Sequence, residues 1–284
     1  MIVFKIGLKN GLVYLSSKLI FYLFLKIPQI IKNQLFFLNF VKNNNLSIIN
    51  SNKIFHVELI VNDKPLKLFL RELSSDVSVF CQIFINREYG FITNILPPQT
   101  NNNIILVDLG ANIGLTTAFF KCIYNNIVSY CYEPEPENYI QLKKNIESNK
   151  FNDIHCYNSG VWDSETQLNC SFARGDKQFW SVRLFKDKNI EKNIIYVNTL
   201  KNILSTIDRS IIDVLKIDVE GAESVIFKFG ENYNYLKKVK IILIEIHDGF
   251  DCRARIKNIL EGNNFILSDE GEFTVGINKV FLVN

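Results

Sequence analysis

The stretch that most constrains this chain is Ile104-Ile105-Leu106-Val107-Asp108-Leu109, followed at once by Gly110-Ala111-Asn112-Ile113-Gly114. A continuous apolar run bounded by a glycine turn reads as a strand buried on both faces. The chain around it repeats the theme. Ile127–Tyr132, Ile154–Tyr157, Val214–Ile217 and Ile241–Ile246 are further buried strands, and Phe265–Leu267 and Lys279–Val283 read as terminal ones. Between them, helices are predicted over Gly114–Tyr124, Glu137–Asn149, near Ala222–Phe229 and over Cys252–Leu260. Strand–helix alternation of this kind predicts an α/β protein with a mostly parallel, doubly wound sheet.

Upstream of this region the pattern differs. Pro97-Pro98 and Asn101-Asn102-Asn103 mark a boundary, dividing an N-terminal extension (1–99) from the main domain (100–284). In the extension, Ile54–Val61 and Leu66–Leu70 alternate about Asn62-Asp63-Lys64-Pro65, which predicts a hairpin. Val77, Phe80, Cys81 and Phe84 have helical spacing, while Asn43-Asn44-Asn45 and Asn50-Ser51-Asn52 read as turns or linkers. Leu12–Phe40 is strongly apolar but interrupted by Lys18, Lys26, Lys32 and Pro28, and its longest uncharged run, Leu19–Leu25, is too short to span a bilayer. Two readings of it stand: an amphipathic helix docked on the main domain, or a basic helix making peripheral contact with a membrane through residues 12–40.

Composition excludes some functions. A net charge of +3 over 284 residues does not suggest a dedicated nucleic-acid binder. The six cysteines form no C-x-x-C pair, so a zinc ribbon is not expected, and they read as reduced thiols of a cytoplasmic protein. Three scattered histidines do not make a multi-histidine metal site.

The glycine loop is the first chemical signal. Gly110 permits a tight turn and close approach of a ligand to the backbone, and Gly114 permits close packing of the helix that follows. Asn112 stands where a dinucleotide-binding loop would have its second glycine, and Asp108 places a negative charge before the loop, favouring a cationic ligand over a phosphate. Glu133 lies 25 positions after Asp108, at the end of the next strand, where an acid can accept both hydroxyls of a ribose.

The loop, the Glu133-Pro134 step, the run Leu215-Lys216-Ile217-Asp218-Val219-Glu220-Gly221-Ala222-Glu223, Asn198-Thr199-Leu200, Ile244-Glu245-Ile246-His247 and Arg87-Glu88-Tyr89-Gly90 together resemble the FkbM family of S-adenosylmethionine-dependent methyltransferases. The resemblance covers roughly Leu70 to the C-terminus. It implies a Rossmann-like class I methyltransferase with a seven-stranded sheet and an antiparallel last strand. It also implies O-methylation, often of sugars in glycans, polysaccharides or glycosylated natural products. By position it puts Gly110, Asn112 and Gly114 at the methionine and ribose end of S-adenosylmethionine, Asp108 near its amino group and Glu133 on its ribose. Ser159-Gly160-Val161-Trp162 would border the adenine, Trp162 being equally readable as core, and Asp218 would lie near the methyl group.

The acceptor side follows from Asp218, Glu220, Glu245 and His247. Ligands of open α/β sheets bind outside the carboxyl ends of the strands, and Glu245 and His247, two apart, share a face. Methyl transfer to a hydroxyl needs a proton acceptor, for which His247 or Asp218 is the candidate, with Glu245 and Glu220 orienting hydroxyls. Glu220 and Glu223 also fit as carboxylates at a helix N-terminus. A divalent metal held by Asp218, Glu245 and His247 is a variant of the same site. An insertion at 163–196 carries Arg174, Lys177, Phe179, Trp180, Ser181 and Arg183, residues suited to a glycan or small-molecule acceptor, and Leu168–Phe172 and Ile194–Val197 within it are able to pair as strands. A non-sugar acceptor, and an inactive cofactor-fold interaction module, are the competing readings.

Overall fold

The computed structural model describes residues 28–44, 46–98, 103–172, 182–185 and 194–282. Helix α1 (Gln29–Asn43) leads into a three-stranded antiparallel sheet of β1 (Ser47–Ser51), β2 (Ile54–Val61) and β3 (Lys64–Arg71). Helix α2 (Ser75–Phe80) continues as a wider turn over Cys81–Ile85, and α3 (Ile92–Ile95) closes the layer. The predicted hairpin is β2–β3, with Val61 opposite Lys64. Asn50 and Ser51, read as linker, instead pair in β1 with Phe55 and Ile54. A short polar edge strand lacks the apolar alternation that would mark it in sequence.

The main sheet has seven strands in the order β13-β14-β12-β11-β4-β5-β6. In chain order these are β4 (Ile104–Leu109), β5 (Ile127–Tyr132), β6 (Ile154–Tyr157), β11 (Ile212–Ile217), β12 (Val239–Glu245), β13 (Phe265–Glu270) and β14 (Phe273–Asn278). Strand β14 alone runs against its neighbours, pairing antiparallel with β12 and β13. The last strand therefore ends where Lys279–Val283 was expected to begin, and Lys279–Phe281 forms a single helical turn. Ser268, Asp269 and Glu270 extend β13 with polar residues that its edge position leaves largely open to solvent.

Helices α4 (Leu115–Ile123), α5 (Pro136–Ser148), α6 (Leu200–Thr206) and α8 (Arg253–Gly262) cover the sheet, while α7 (Glu223–Ile226) is one turn, shorter than the helix expected near Ala222–Phe229. Every residue of β4 and β11 is buried. Alternation along β4 divides them: Ile104 and Leu106 join the core shared with the N-terminal layer, whereas Ile105, Val107 and Leu109 join the core under α6 and α8.

The insertion builds a second sheet. Strands β7 (Gly160–Trp162), β8 (Thr166–Phe172), β9 (Val182–Phe185) and β10 (Ile194–Thr199) are ordered β7-β10-β8-β9, and the expected pairing of Leu168–Phe172 with Ile194–Val197 is the antiparallel β8–β10 ladder. Arg174, Lys177, Phe179, Trp180 and Ser181 lie outside the described residues, as does Leu12–Ile27 of the apolar N-terminal stretch. Its described part, α1, docks through Phe37, Leu38 and Val41.

Candidate active site

Strand order reverses between β4 and β11, and the carboxyl ends of β4, β5, β11 and β12 meet around a cavity of about 370 Å³. Two backbone loops cross at its floor. Gly110 has φ of 77°, and a Cβ there would lie 1.8 Å from the carbonyl oxygen of Asp218. The glycine is thus required by the neighbouring chain, in addition to any ligand. Asn112 takes a left-handed φ of 50°, which asparagine tolerates better than most residues. Its Oδ1 is buried without a hydrogen-bond partner.

Glu133, at the end of β5, is 3% exposed. Its Oε2 accepts the Asn112 N–H at 2.8 Å, and its Oε1 accepts the Glu135 N–H at 2.9 Å. Burial nevertheless dominates and pushes its carboxyl up to about 7.

Beneath the loop, Lys216 is 2% exposed near the carboxyl end of β11. Its ammonium donates to the Gly110 carbonyl at 2.7 Å and lies 3.4 Å from Asp108 and 3.3 Å from Asp218. Burial pulls its pKa down, but the two carboxylates outweigh it and hold the group well above the usual lysine range. Asp108 is fully buried, accepts a hydrogen bond from Thr117 at 2.9 Å and does not line the cavity. It acts on the site through Lys216, where sequence reasoning had it near the ligand. Gly114 likewise does not line the cavity but packs against Leu142 of α5, and Trp162 packs against the core under α6.

The acceptor wall is built on β11 and β12. Fully buried Glu223 accepts the Val219 N–H at 3.1 Å, and its same oxygen lies 3.1 Å from Nδ1 of His247. The other imidazole nitrogen, Nε2, lies 3.6 Å from both Glu220 and Glu245. Burial lowers the His247 pKa, but the Glu223 hydrogen bond and the surrounding carboxylates raise it further, to about 9. Burial and the Asp218 charge raise Glu220 to about 7 and Glu245 to about 8. Glu220 sits at φ 53° before Gly221, whose missing side chain leaves room for the Phe250 ring. Arg183, from β9, lines the cavity with its guanidinium 5.1 Å from that ring.

Gly110, Asn112, Glu133, Gly160, Val161, Asp218, Glu220, Glu245 and His247 thus line one cavity. Among the described residues, Asp218, Glu220 and His247 offer ligand atoms within 4.8 Å of one another, so Glu220 stands where Glu245 was expected in a metal trio. Sequence reasoning gave no role to Lys216, Glu88, Tyr89 or Glu272, and it read Glu223 as a helix carboxylate. A lysine inside a buried strand was itself the available signal, because a buried ammonium requires carboxylate partners.

A sheet of this order, with a glycine loop after its first strand and an acid ending its second, defines a Rossmann-like class I methyltransferase fold. The Methyltransferase FkbM domain matches residues 108–267, more than half of the sequence, and the chain belongs to that family. It is 22% identical to Methyltransferase 1 of Beauveria bassiana (strain ARSEF 2860) over 207 residues, covering 66% of this chain and 80% of that protein. It is 25% identical to methyltransferase sdnD of Sordaria araneosa over 202 residues, covering 61% and 78%. Among solved structures, the Methanococcus jannaschii fibrillarin pre-rRNA processing protein aligns with a TM-score of 0.40 at 15% identity, over 82% of this chain and 98% of that one. M. jannaschii TYW2 in complex with AdoMet aligns with a TM-score of 0.35 at 14% identity, over 81% and 85%.

Proposed function

We propose that this protein is an S-adenosylmethionine-dependent O-methyltransferase whose acceptor is a sugar hydroxyl of a glycan or glycoconjugate. The observation that carries the reading is one cavity with two differently equipped walls. One wall has a glycine loop and a buried glutamate. The other has an imidazole backed by a buried carboxylate and faced by two more.

The residues present fit the methyl donor. Glu133 keeps acceptor capacity beyond its backbone bonds and suits a ribose diol, and the unpartnered Asn112 Oδ1 suits an ammonium donor. Gly160 and Val161 would border the adenine. When bound, S-adenosylmethionine supplies a methyl group on a cationic sulfur that leaves as a neutral thioether. The chain's own task is then to align a hydroxyl and remove its proton. With Glu223 accepting a hydrogen bond from Nδ1–H of His247, the neutral imidazole presents Nε2 as the proton-accepting atom on the cavity side. Glu220 and Glu245 are placed to accept hydroxyl hydrogens, and Arg183 beside Phe250 adds a donor and an apolar ring face of the kind sugars use.

Calorimetric titration with S-adenosylmethionine and S-adenosylhomocysteine, followed by methyl transfer to a glycan panel, tests this. Micromolar binding, ~−8 kcal/mol, and methylated sugar are expected. Binding with transfer only to non-sugar acceptors would move the acceptor, and no binding by folded protein would leave an interaction module. A second reading, an ion on Asp218, Glu220 and His247, is favoured by their convergence and by the carboxylate behind His247. Activity lost to EDTA and restored by a divalent cation is its signature. The six free cysteines support a reducing compartment such as the cytoplasm.

A further inference from the structure

We propose that Asn138, held by Arg71 of the N-terminal layer, is a positioning residue for the carboxylate that takes the ribose of S-adenosylmethionine. The inference rests on Glu133 being that ribose acceptor, and it extends the donor site beyond the main sheet. What carries it is an unbroken line of side chains, Asp76 to Arg71 to Asn138 to Glu133, running from the N-terminal layer to the cavity.

The line starts from a fixed point. Asp76, in the first turn of α2, is fully buried. Its Oδ2 accepts both the backbone N–H and the Nε–H of Arg71, the last residue of β3, and its Oδ1 accepts an Nη2 hydrogen, each at 2.8 Å. A guanidinium gripped in this two-pronged way has one orientation left. That orientation aims the second Nη2 hydrogen at Oδ1 of Asn138, 2.6 Å away. Asn138 is 1% exposed in the first turn of α5, where its backbone N–H is tied to Glu135 Oε2 at 2.7 Å as part of the helix cap.

The guanidinium thereby settles which end of the Asn138 amide faces the cavity acid. With Oδ1 on Arg71, Nδ2 donates toward Oε1 of Glu133 at 3.4 Å. The reversed amide would set its N–H groups against a cation and its oxygen against a carboxylate. Glu133 therefore has three donors: the backbone N–H groups of Asn112 and Glu135, and this side chain. The last is the one that a substitution removes. Its loss matters because Glu133 is balanced near neutrality. Burial raises its carboxyl to about 7, the Glu135 charge adds to the rise, and the three hydrogen bonds oppose it. Around it stand Glu135 and Glu137 at the start of α5, Arg71 with Asp76, and Cys170 of β8, whose thiol is kept protonated by burial and then by the charges of Glu133 and Glu135. Arg183 lines the same cavity from β9. A ribose diol donates its hydrogens, so it favours the ionised acid.

The test is calorimetric titration of the full chain with S-adenosylhomocysteine and with its 2′-deoxy analogue, from about pH 6 to about pH 9. The variants are Asn138→Ala, Arg71→Lys and the two combined. Asn138→Ala leaves the backbone cap to Glu135 in place, and Arg71→Lys keeps a cation for Asp76 but lacks the fork that also reaches Asn138. Asn138→Ala should bind S-adenosylhomocysteine roughly 3–10-fold more weakly near neutral pH, and the pH below which affinity falls should move upward. The 2′-deoxy analogue should lose much less, because the effect travels through the ribose. The double variant should bind no more weakly than Asn138→Ala alone, since both changes act on one line. An unchanged pH profile, an equal loss on both ligands, or additive losses in the double variant would make the network a structural support and overturn the proposal, whatever the melting temperature does. No binding by the folded wild-type protein overturns the donor reading and the proposal with it. Wild-type binding together with any of those three outcomes overturns the proposal alone.

Discussion

His247 is a base only in its neutral form, and the carboxylates around it hold it protonated to about pH 9, so the rate of a step that uses it should rise with pH toward that value. Glu223 contributes to that shift and also fixes which nitrogen faces the cavity. Replacing Glu223 with Gln should lower the apparent pKa of the base in the kcat–pH profile. His247→Ala should lower kcat by ~10²–10⁴-fold, the usual contribution of a general base, while leaving S-adenosylmethionine affinity nearly unchanged. Equal loss of binding and rate in His247→Ala would place the residue on the donor side. On that side, Glu133→Ala should weaken donor binding by ~10–100-fold, as expected for lost hydrogen bonds worth ~1.5–3 kcal/mol. Titration calorimetry reads it directly. The same charges also govern stability. Glu220 and Glu245 are raised from 4.5 to about 7 and 8, so their contribution is full below pH 4.5 and is lost as pH rises through those values. His247 is raised from 6.5 to about 9, so its contribution is full below 6.5 and is lost toward 9. Both signs agree, and the ligand-free protein should melt at progressively lower temperature between about pH 5 and pH 9. A Tm that rises over that interval in scanning calorimetry would refute the charge assignment.

At the scale of elements, the sheet was legible because its central strands are predominantly apolar runs, and β4, β5 and β6 fall at the positions read from sequence. Packing partners were not legible. Helix α5 carries Gln141, Asn145 and Asn149 on one stripe, an odd choice for an inward face, and the reason is the edge strand β3. Asn145 accepts the Phe69 N–H at 2.8 Å, Asn149 accepts the Lys67 N–H at 2.7 Å, and Gln141 donates to the Phe69 carbonyl at 2.5 Å. The helix therefore completes the hydrogen bonding of an otherwise open edge. Asn145 also donates to the Ile113 carbonyl at 2.8 Å, joining β3 to the glycine loop. Asn145→Ala should destabilise the fold by ~1–3 kcal/mol, the cost of leaving buried backbone groups unpaired, and should speed amide exchange at Phe69. Loss of stability without faster exchange at Phe69 would show that the edge is held elsewhere. Glu223 and Lys216 belong to the same lesson. Their residue types were visible, but a partner across 24 or 106 positions is supplied by topology and not by local pattern.

Over the whole molecule, the boundary at Pro97-Pro98 divides the sequence more sharply than it divides the core. A chain of aromatic rings runs across it: Phe37 to Phe80 at 5.2 Å, Phe80 to Phe84 at 5.2 Å, and Phe84 to Phe119 of α4 at 5.9 Å. Tyr89 closes the path against Phe273 of β14 at 5.2 Å. The N-terminal layer also furnishes part of the cavity, through Val79, Gln82, Ile83, Glu88 and Tyr89. A layer that shares its core with the sheet and its side chains with the site should not unfold separately from either. Phe80, fully buried at the centre of the ring chain, is the place to test this. Phe80→Ala removes ~3–5 kcal/mol of packing. If the molecule is one cooperative unit, that cost lowers a single transition, seen together in near-ultraviolet circular dichroism and in far-ultraviolet ellipticity. Bound S-adenosylmethionine should then raise that same transition as a whole, because a ligand that binds only the native state stabilises everything that unfolds with its site. Two separated transitions, only one of them responding to ligand, would instead make the layer an independent domain resting on the sheet.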